Sequence, residues 1–193
     1  IKPAGAQSIK EAAALIKNGA LVAFPTETVY GLGANALNGR AVKHIYEVKG
    51  RPSDNPLIVH VSSLEQMKSL CKTFPEQAQK LFDAFMPGPL TVVLPKSDII
   101  PKEISGGLDT VALRLPENEV ARELISQAGV PIAAPSANLS GSPSPTTAQH
   151  VYDDLSGRIP LILDGGPCRV GVESTVITLC TNPPTLLRPG GIT

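Results

Sequence analysis

The chain has 193 residues, enough for one domain with a substantial core, and its 42% hydrophobic content with ordinary charge excludes a disordered polymer. Seventeen basic residues balance seventeen acidic ones, aromatics make up 4% and Trp is absent, so neither a global positive field nor a base-stacking platform recruits nucleic acid. Cys71, Cys168 and Cys180 are odd in number and form no C-x-x-C pair, which argues against a disulfide framework or zinc knuckle and fits a reduced, cytoplasmic compartment; no apolar run approaches the roughly 20 residues of a membrane span.

In chain order, Ser8 followed by Glu11 reads as a capping box opening a helix whose apolar face is Ile9, Ala12, Ala13 and Ile16, with Gly19 as its stop. Ala20 to Phe24 reads as a buried strand. A helix over Arg40 to Val48 follows, with Val42, Ile45 and Tyr46 at helical spacing, and then a strand over Leu57 to Val61. Helices are predicted at Leu64 to Leu70 and Glu76 to Phe85, and Pro87-Gly88-Pro89 breaks the helical run. Strands at Leu90 to Leu94 and Thr110 to Leu115, a helix at Glu119 to Ala128 and a strand at Pro131 to Ala134 come next. A helix at Thr147 to Leu155 and strands near Leu161 to Leu163, Thr175 to Leu179 and Thr185 to Leu187 complete a single α/β domain with a mixed sheet.

Standard nucleotide and hydrolase motifs are absent: there is no Walker loop, no G-x-S-x-G and no H-E-x-x-H, and Gly31 and Gly33 lack the third glycine of a dinucleotide fingerprint. His44, His60 and His150 have no metal-ligand spacing, and Mg2+ ligands cannot be picked out among Asp54, Asp164 and Glu173. A phosphate site must therefore use side-chain cations. Lys49-Gly50-Arg51 stands where a helix ends, which by itself suits a basic C-cap, but the stiff Pro52-Ser53-Asp54-Asn55-Pro56 turn fixes Arg51 and Asn55 between helix and strand. Ser136 and Asn138 open a second Ser/Gly/Pro-rich loop, Leu139 to Pro145, longer than its connection requires and suited to act as a lid.

Six blocks, Phe24 to Leu32, Lys49 to Pro52, Pro87 to Pro89, Pro135 to Asn138, Glu173 to Val176 and Arg188 to Gly190, together resemble the YrdC family of L-threonylcarbamoyladenylate synthases from about residue 5 onward. The resemblance implies a YrdC-like catalytic domain over residues 1–193, a twisted mixed sheet flanked by helices with a concave basic cleft; some members carry a further C-terminal domain. It implies a nucleotidyltransferase that makes L-threonylcarbamoyladenylate and pyrophosphate from L-threonine, bicarbonate and ATP, with Mg2+ accompanying ATP, for threonylcarbamoyladenosine modification of tRNA by downstream threonylcarbamoyl-transfer proteins. The family's signature falls on Lys49, Arg51, Ser136 and Asn138 as catalytic residues. Those four with Asn55, Thr110, Ser144 and Arg188 are the implied ATP contacts, and Thr28, His60, Arg114, Ala134 and Ser174 the implied threonine contacts. The same cations would suit an RNA backbone, so an RNA-binding module is the competing class, and carbamoyl transfer to a larger acceptor a third; the neutral charge and few aromatics favour the small-molecule enzyme.

Overall fold

The computed structural model describes residues 1–193. Helix α1 (Ala6–Lys17) precedes strand β2 (Val22–Phe24), and the two-residue β1 (Lys2–Pro3) comes before both. Then follow β3 (Gly31–Asn35), α2 (Gly39–Lys49), β4 (Ile58–His60), α3 (Leu64–Ser69), α4 (Glu76–Phe85), β5 (Leu90–Pro95) and α5 (Lys102–Ser105). The remainder is β6 (Thr110–Arg114), α6 (Glu119–Ala128), β7 (Ile132–Ala133), α7 (Ala148–Leu155), β8 (Leu161–Asp164), β9 (Thr175–Thr178) and β10 (Thr185–Arg188). The strands form one mixed sheet in the order β1-β8-β2-β3-β7-β4-β6-β5-β9-β10.

Helix ends follow side-chain chemistry. Asn38, Ser63, Asn118 and Thr147 each accept a backbone N–H of the first turn of α2, α3, α6 and α7. The expected cap at Ser8 is different: the N-cap of α1 is Gly5, three residues earlier, and Ser8 accepts the Gly5 N–H at 2.9 Å from inside the first turn while donating to the Pro3 carbonyl at 2.7 Å. Glu11, its supposed partner, instead pairs with Lys2 at 2.6 Å.

Alternation along the strands sorts the core into two layers. Val22 and Phe24 face α1 and α6 in a cluster with Ile9, Ile16, Leu124 and Ile125, whereas Leu21 and Ala23 face the larger cluster with Val42, Ile45, Val151 and Leu155. Strand β3 was not predicted. Its Leu32 and Ala34 join the larger cluster, but its other face is glycine, because a Cβ on Gly33 would come within 2.7 Å of the Phe24 ring and 2.9 Å of Ile132. Packing therefore removed the period-2 signal that would have announced a strand. The single-turn α5 and the short β1 carry too few residues for a pattern.

The face that α1 and α6 cover over β2, β7 and β8 is open over β4, β6, β5 and β9. Ile58, His60, Val93, Ala112, Arg114 and Val176 lie there as the floor of a cleft. Parallel pairing of β4 with β6 puts His60 beside Arg114, so two polar residues share one buried rung.

Candidate functional site

A cleft of about 360 Å³ opens along this floor, within the size range of small-molecule sites. One end is built on Arg114. Its guanidinium is almost entirely buried, its Nη2 donates to Glu27 Oε1 at 2.6 Å, its Nη1 to Thr28 Oγ1 at 3.1 Å and its Nε to the Gly88 carbonyl at 3.2 Å. The Pro87-Gly88-Pro89 break thus supplies an acceptor to the site. Glu27 is fixed from its other oxygen by the Glu117 N–H at 2.9 Å. Thr26 ties the turn: its hydroxyl donates to the Val29 carbonyl at 2.6 Å and accepts the Thr28 and Val29 N–H groups. Arginine has five N–H bonds, so with three engaged the fork keeps donors for a ligand carboxylate.

Beside it, His60 meets Phe24 edge-on at 6.3 Å between centroids. Burial, and secondarily the Arg114 charge, pushes its pKa down to about 3, so the ring is neutral, and its buried Nδ1 has no protein partner. Whether that atom donates or accepts depends on the tautomer. Ser174, hydrogen-bonded to Thr91 at 2.8 Å, and Ala134 complete this end.

The cleft is also lined by Arg51, Asn55, Thr110, Ser136 and Arg188. Gly50, in the left-handed region at φ 63°, ends α2 and turns the chain so that the Arg51 N–H caps the Tyr46 carbonyl. Tyr46 in turn donates to the carbonyls of Asn55 and Glu103, pinning the loop. Arg51 donates from Nη2 to the Pro56 carbonyl at 3.1 Å, and its Nε is buried without a partner; burial lowers its pKa. Arg188 donates from Nε and Nη2 to the Ser174 carbonyl, and its Nη1 pairs with Glu173. Leu108 and Leu187, both more than half exposed, form part of an apolar rim.

Ten of the sequence-nominated residues line the cleft: Thr28, Arg51, Asn55, His60, Thr110, Arg114, Ala134, Ser136, Ser174 and Arg188. Lys49, Asn138 and Ser144 are not among its lining residues. Lys49 is buried and donates to the carbonyls of Ser136 at 2.5 Å and Asn138 at 2.6 Å, so its ammonium braces the second loop from behind. Burial and then the neighbouring Arg51 pull its pKa down to about 8. Asn138 donates to the carbonyls of Leu139 and Ser142, closing the start of the Leu139 to Pro145 loop, and Ser144 donates to Glu173. Glu27 was not nominated, although a carboxylate between two threonines just after a buried strand was a signal. Two of the three lining arginines carry a carboxylate partner, Glu27 or Glu173, leaving Arg51 as the lining cation without one.

The chain is similar to known proteins over nearly its whole length. A model of the Sua5/YciO/YrdC family, described as telomere recombination, matches residues 14–190. The chain is 61% identical over 184 residues to the threonylcarbamoyl-AMP synthase of Pyrococcus abyssi, covering 95% of this chain and 54% of that protein. It is 58% identical over 186 residues to the enzyme of that name from Bacillus subtilis, covering 96% and 54%. It thus spans about half the length of these curated relatives. A crystal structure of P. abyssi Sua5 complexed with L-threonine superposes with a TM-score of 0.94 at 61% identity over 95% of this chain and 54% of that one. E. coli YciO, at 24% identity and a TM-score of 0.86 over 95% of this chain and 89% of that one, shares the fold. Family match and identity together establish that the chain belongs to the Sua5/YciO/YrdC family.

Proposed function

We propose that the cleft binds L-threonine at its Arg114 end and ATP at its Arg51–Arg188 end and joins them into L-threonylcarbamoyladenylate. The threonine amine adds to CO2 drawn from bicarbonate and loses a proton to give a carbamate. A carbamate oxygen then attacks the α-phosphorus of ATP, and the bond to pyrophosphate breaks. This chemistry needs positioning and charge neutralisation rather than a covalent nucleophile. The observation that carries the reading is that one cleft is lined both by a buried arginine fork bonded to Thr28 and by Arg51 and Arg188 with Asn55, Thr110 and Ser136, Arg188 reaching Ser174 between them. The threonine-bound relative and the names of the curated relatives support it.

In this reading Arg114 holds the threonine carboxylate, with Thr28, His60, Ser174 and the backbone of Ala134 around the amine and side chain. A neutral His60 adds no second cation beside Arg114 where the amine must react. Arg51, Asn55, Thr110, Ser136 and Arg188 meet the nucleotide, while Lys49 and Asn138 hold the loop that carries Ser136. Magnesium is expected to accompany ATP as its phosphate-bound cation. The product supplies the threonylcarbamoyl group of a modified adenosine in tRNA through separate transfer proteins, a cytoplasmic task; no helix here is long and apolar enough to cross a membrane. The neutral net charge and few aromatics disfavour the RNA-module reading.

Incubation of the chain with ATP, bicarbonate and threonine, followed by mass spectrometry, tests the proposal. Threonylcarbamoyladenylate and equimolar pyrophosphate are expected without any macromolecular acceptor. A folded chain that binds RNA with a steep salt dependence and forms no adenylate would overturn it.

A further inference from the structure

Glu173 is the one carboxylate on the cleft wall, and its two oxygens serve two different segments. Oε1 accepts from the Ser144 hydroxyl at 2.9 Å, and Oε2 pairs with Arg188 Nη1. The other Arg188 donors are committed to Ser174, so Nη1 is the nitrogen this residue turns toward the acid. A hydroxyl and a guanidinium N–H converging on one anion are a donor set for a phosphate oxygen as well as for a carboxylate. Glu173 also favours the cationic forms of Lys49 and Arg51, which places its negative charge among all the basic side chains of this end.

Its backbone is held still while its side chain is not enclosed. The Glu173 carbonyl accepts the Gly191 N–H at 2.9 Å, and it lies 2.3 Å from where a Cβ on Gly190 would stand, so chain packs directly on it. The carboxylate and its arginine partner are both over a third exposed. An ion pair this open is weak, and the acid can turn to water without moving the strand.

We propose that Glu173 is an internal competitor for the phosphate subsite: in the free chain it occupies Ser144 and Arg188, and a polyphosphate ligand binds by displacing it. The inference rests on reading this end of the cleft as the nucleotide end. Glu173 keeps the donors paired and oriented while the cleft is empty, at a cost to every phosphate ligand that replaces it. Its removal therefore tightens binding, the opposite of what a supporting residue gives.

Calorimetric titration of wild type, Glu173→Gln and Glu173→Asp with ATP and with inorganic tripolyphosphate, each with and without magnesium, reads the sign directly. Glu173→Gln is expected to bind both ligands about three- to tenfold more tightly. Glu173→Asp changes in the same direction, since a carboxylate one methylene shorter does not span Ser144 and Arg188 together. Unchanged or weaker affinity in variants that melt like wild type would overturn the inference. So would a loss seen only with magnesium, which would make Glu173 a ligand of the nucleotide's metal. Tighter tripolyphosphate binding in the variants, with no threonylcarbamoyladenylate from wild type, would leave the competitor role standing and remove the proposed reaction. Product from wild type with no gain in the variants would do the reverse.

Discussion

Replacing Arg114 by Met and Glu27 by Gln, singly and together, separates what this pair does for the fold from what it does for the site. Both side chains are 4% exposed. Arg114→Met strands the Glu27 carboxylate with the Glu117 N–H and leaves Thr28 Oγ1 and the Gly88 carbonyl without their arginine donors. Breaking a buried pair from one side costs about 3–5 kcal/mol. Glu27→Gln strands a guanidinium instead and belongs on the same scale. If the two losses added, they would approach the whole stability of an ordinary domain, about 5–15 kcal/mol. They should not add, because the double variant buries no unpaired charge; it is expected to be more stable than additivity allows by about 2 kcal/mol or more. Urea unfolding with a common m-value measures the cycle. Threonine-dependent pyrophosphate release gives the second readout: it should be lost in Arg114→Met and stay lost in the double variant even as stability returns. Additive unfolding energies would refute the ion-pair argument, and a double variant with unchanged threonine dependence would refute the carboxylate role of Arg114.

Three further outcomes follow from single side chains. His60 is neutral in the fold down to about pH 3 but takes up a proton near pH 6.5 when unfolded, so stability should fall as pH drops from 6.5 toward 3, and His60→Asn should flatten that slope in pH-dependent thermal melts. Lys49, with its pKa depressed to about 8, binds fewer protons folded than unfolded between there and 10.5, so its contribution to stability should rise with pH above 8; the difference in slope between wild type and Lys49→Met isolates it, because Cys168 and Tyr30, whose pKa values are raised by burial to about 11 and 12, contribute to both. Gly33→Ala should cost about 1–3 kcal/mol by overpacking against Phe24 and Ile132, read by urea unfolding, and no loss would mean that the ring and the β2–β3 pair give way more easily than their contacts indicate.

Where the sequence carried local physics, it was readable. Helices α2, α3, α4 and α6 fall within about a residue of expectation because apolar spacing and caps at Asn38, Ser63 and Asn118 lie inside the segment being read. Strand β3 was illegible for the opposite reason, its glycine face being set by a ring on the neighbouring strand. The site divides in the same way. Gly50 announced the reversal that presents Arg51, but the engagement of Arg114 with Glu27 joins residues 87 positions apart and depends on the register of β4, β6 and the turn after β2. Lys49 depends on context in the same way: a lysine beside an arginine suggests two phosphate contacts, and only the fold shows that its ammonium also donates to two carbonyls of the neighbouring loop.

That division of labour bears on how the cleft handles charge. A site for a carboxylate and a polyphosphate needs cations, and cations facing one another in a low-dielectric cleft repel and resist burial. This fold meets the problem differently at its two ends. At the proposed amino-acid end the counter-charge, Glu27, is buried and held by the Glu117 backbone, so in the proposed reading Arg114 stays paired and a ligand meets only its remaining donors. At the proposed nucleotide end the counter-charge, Glu173, is open to water and shares its two oxygens between separate segments, which is the arrangement the proposed exchange requires. A permanent pair suits a ligand of one negative charge, for which orientation of the fork matters more than net field. An exchangeable pair suits a ligand of several charges, which arrives with enough electrostatic attraction to displace a carboxylate and restores the cation when it leaves.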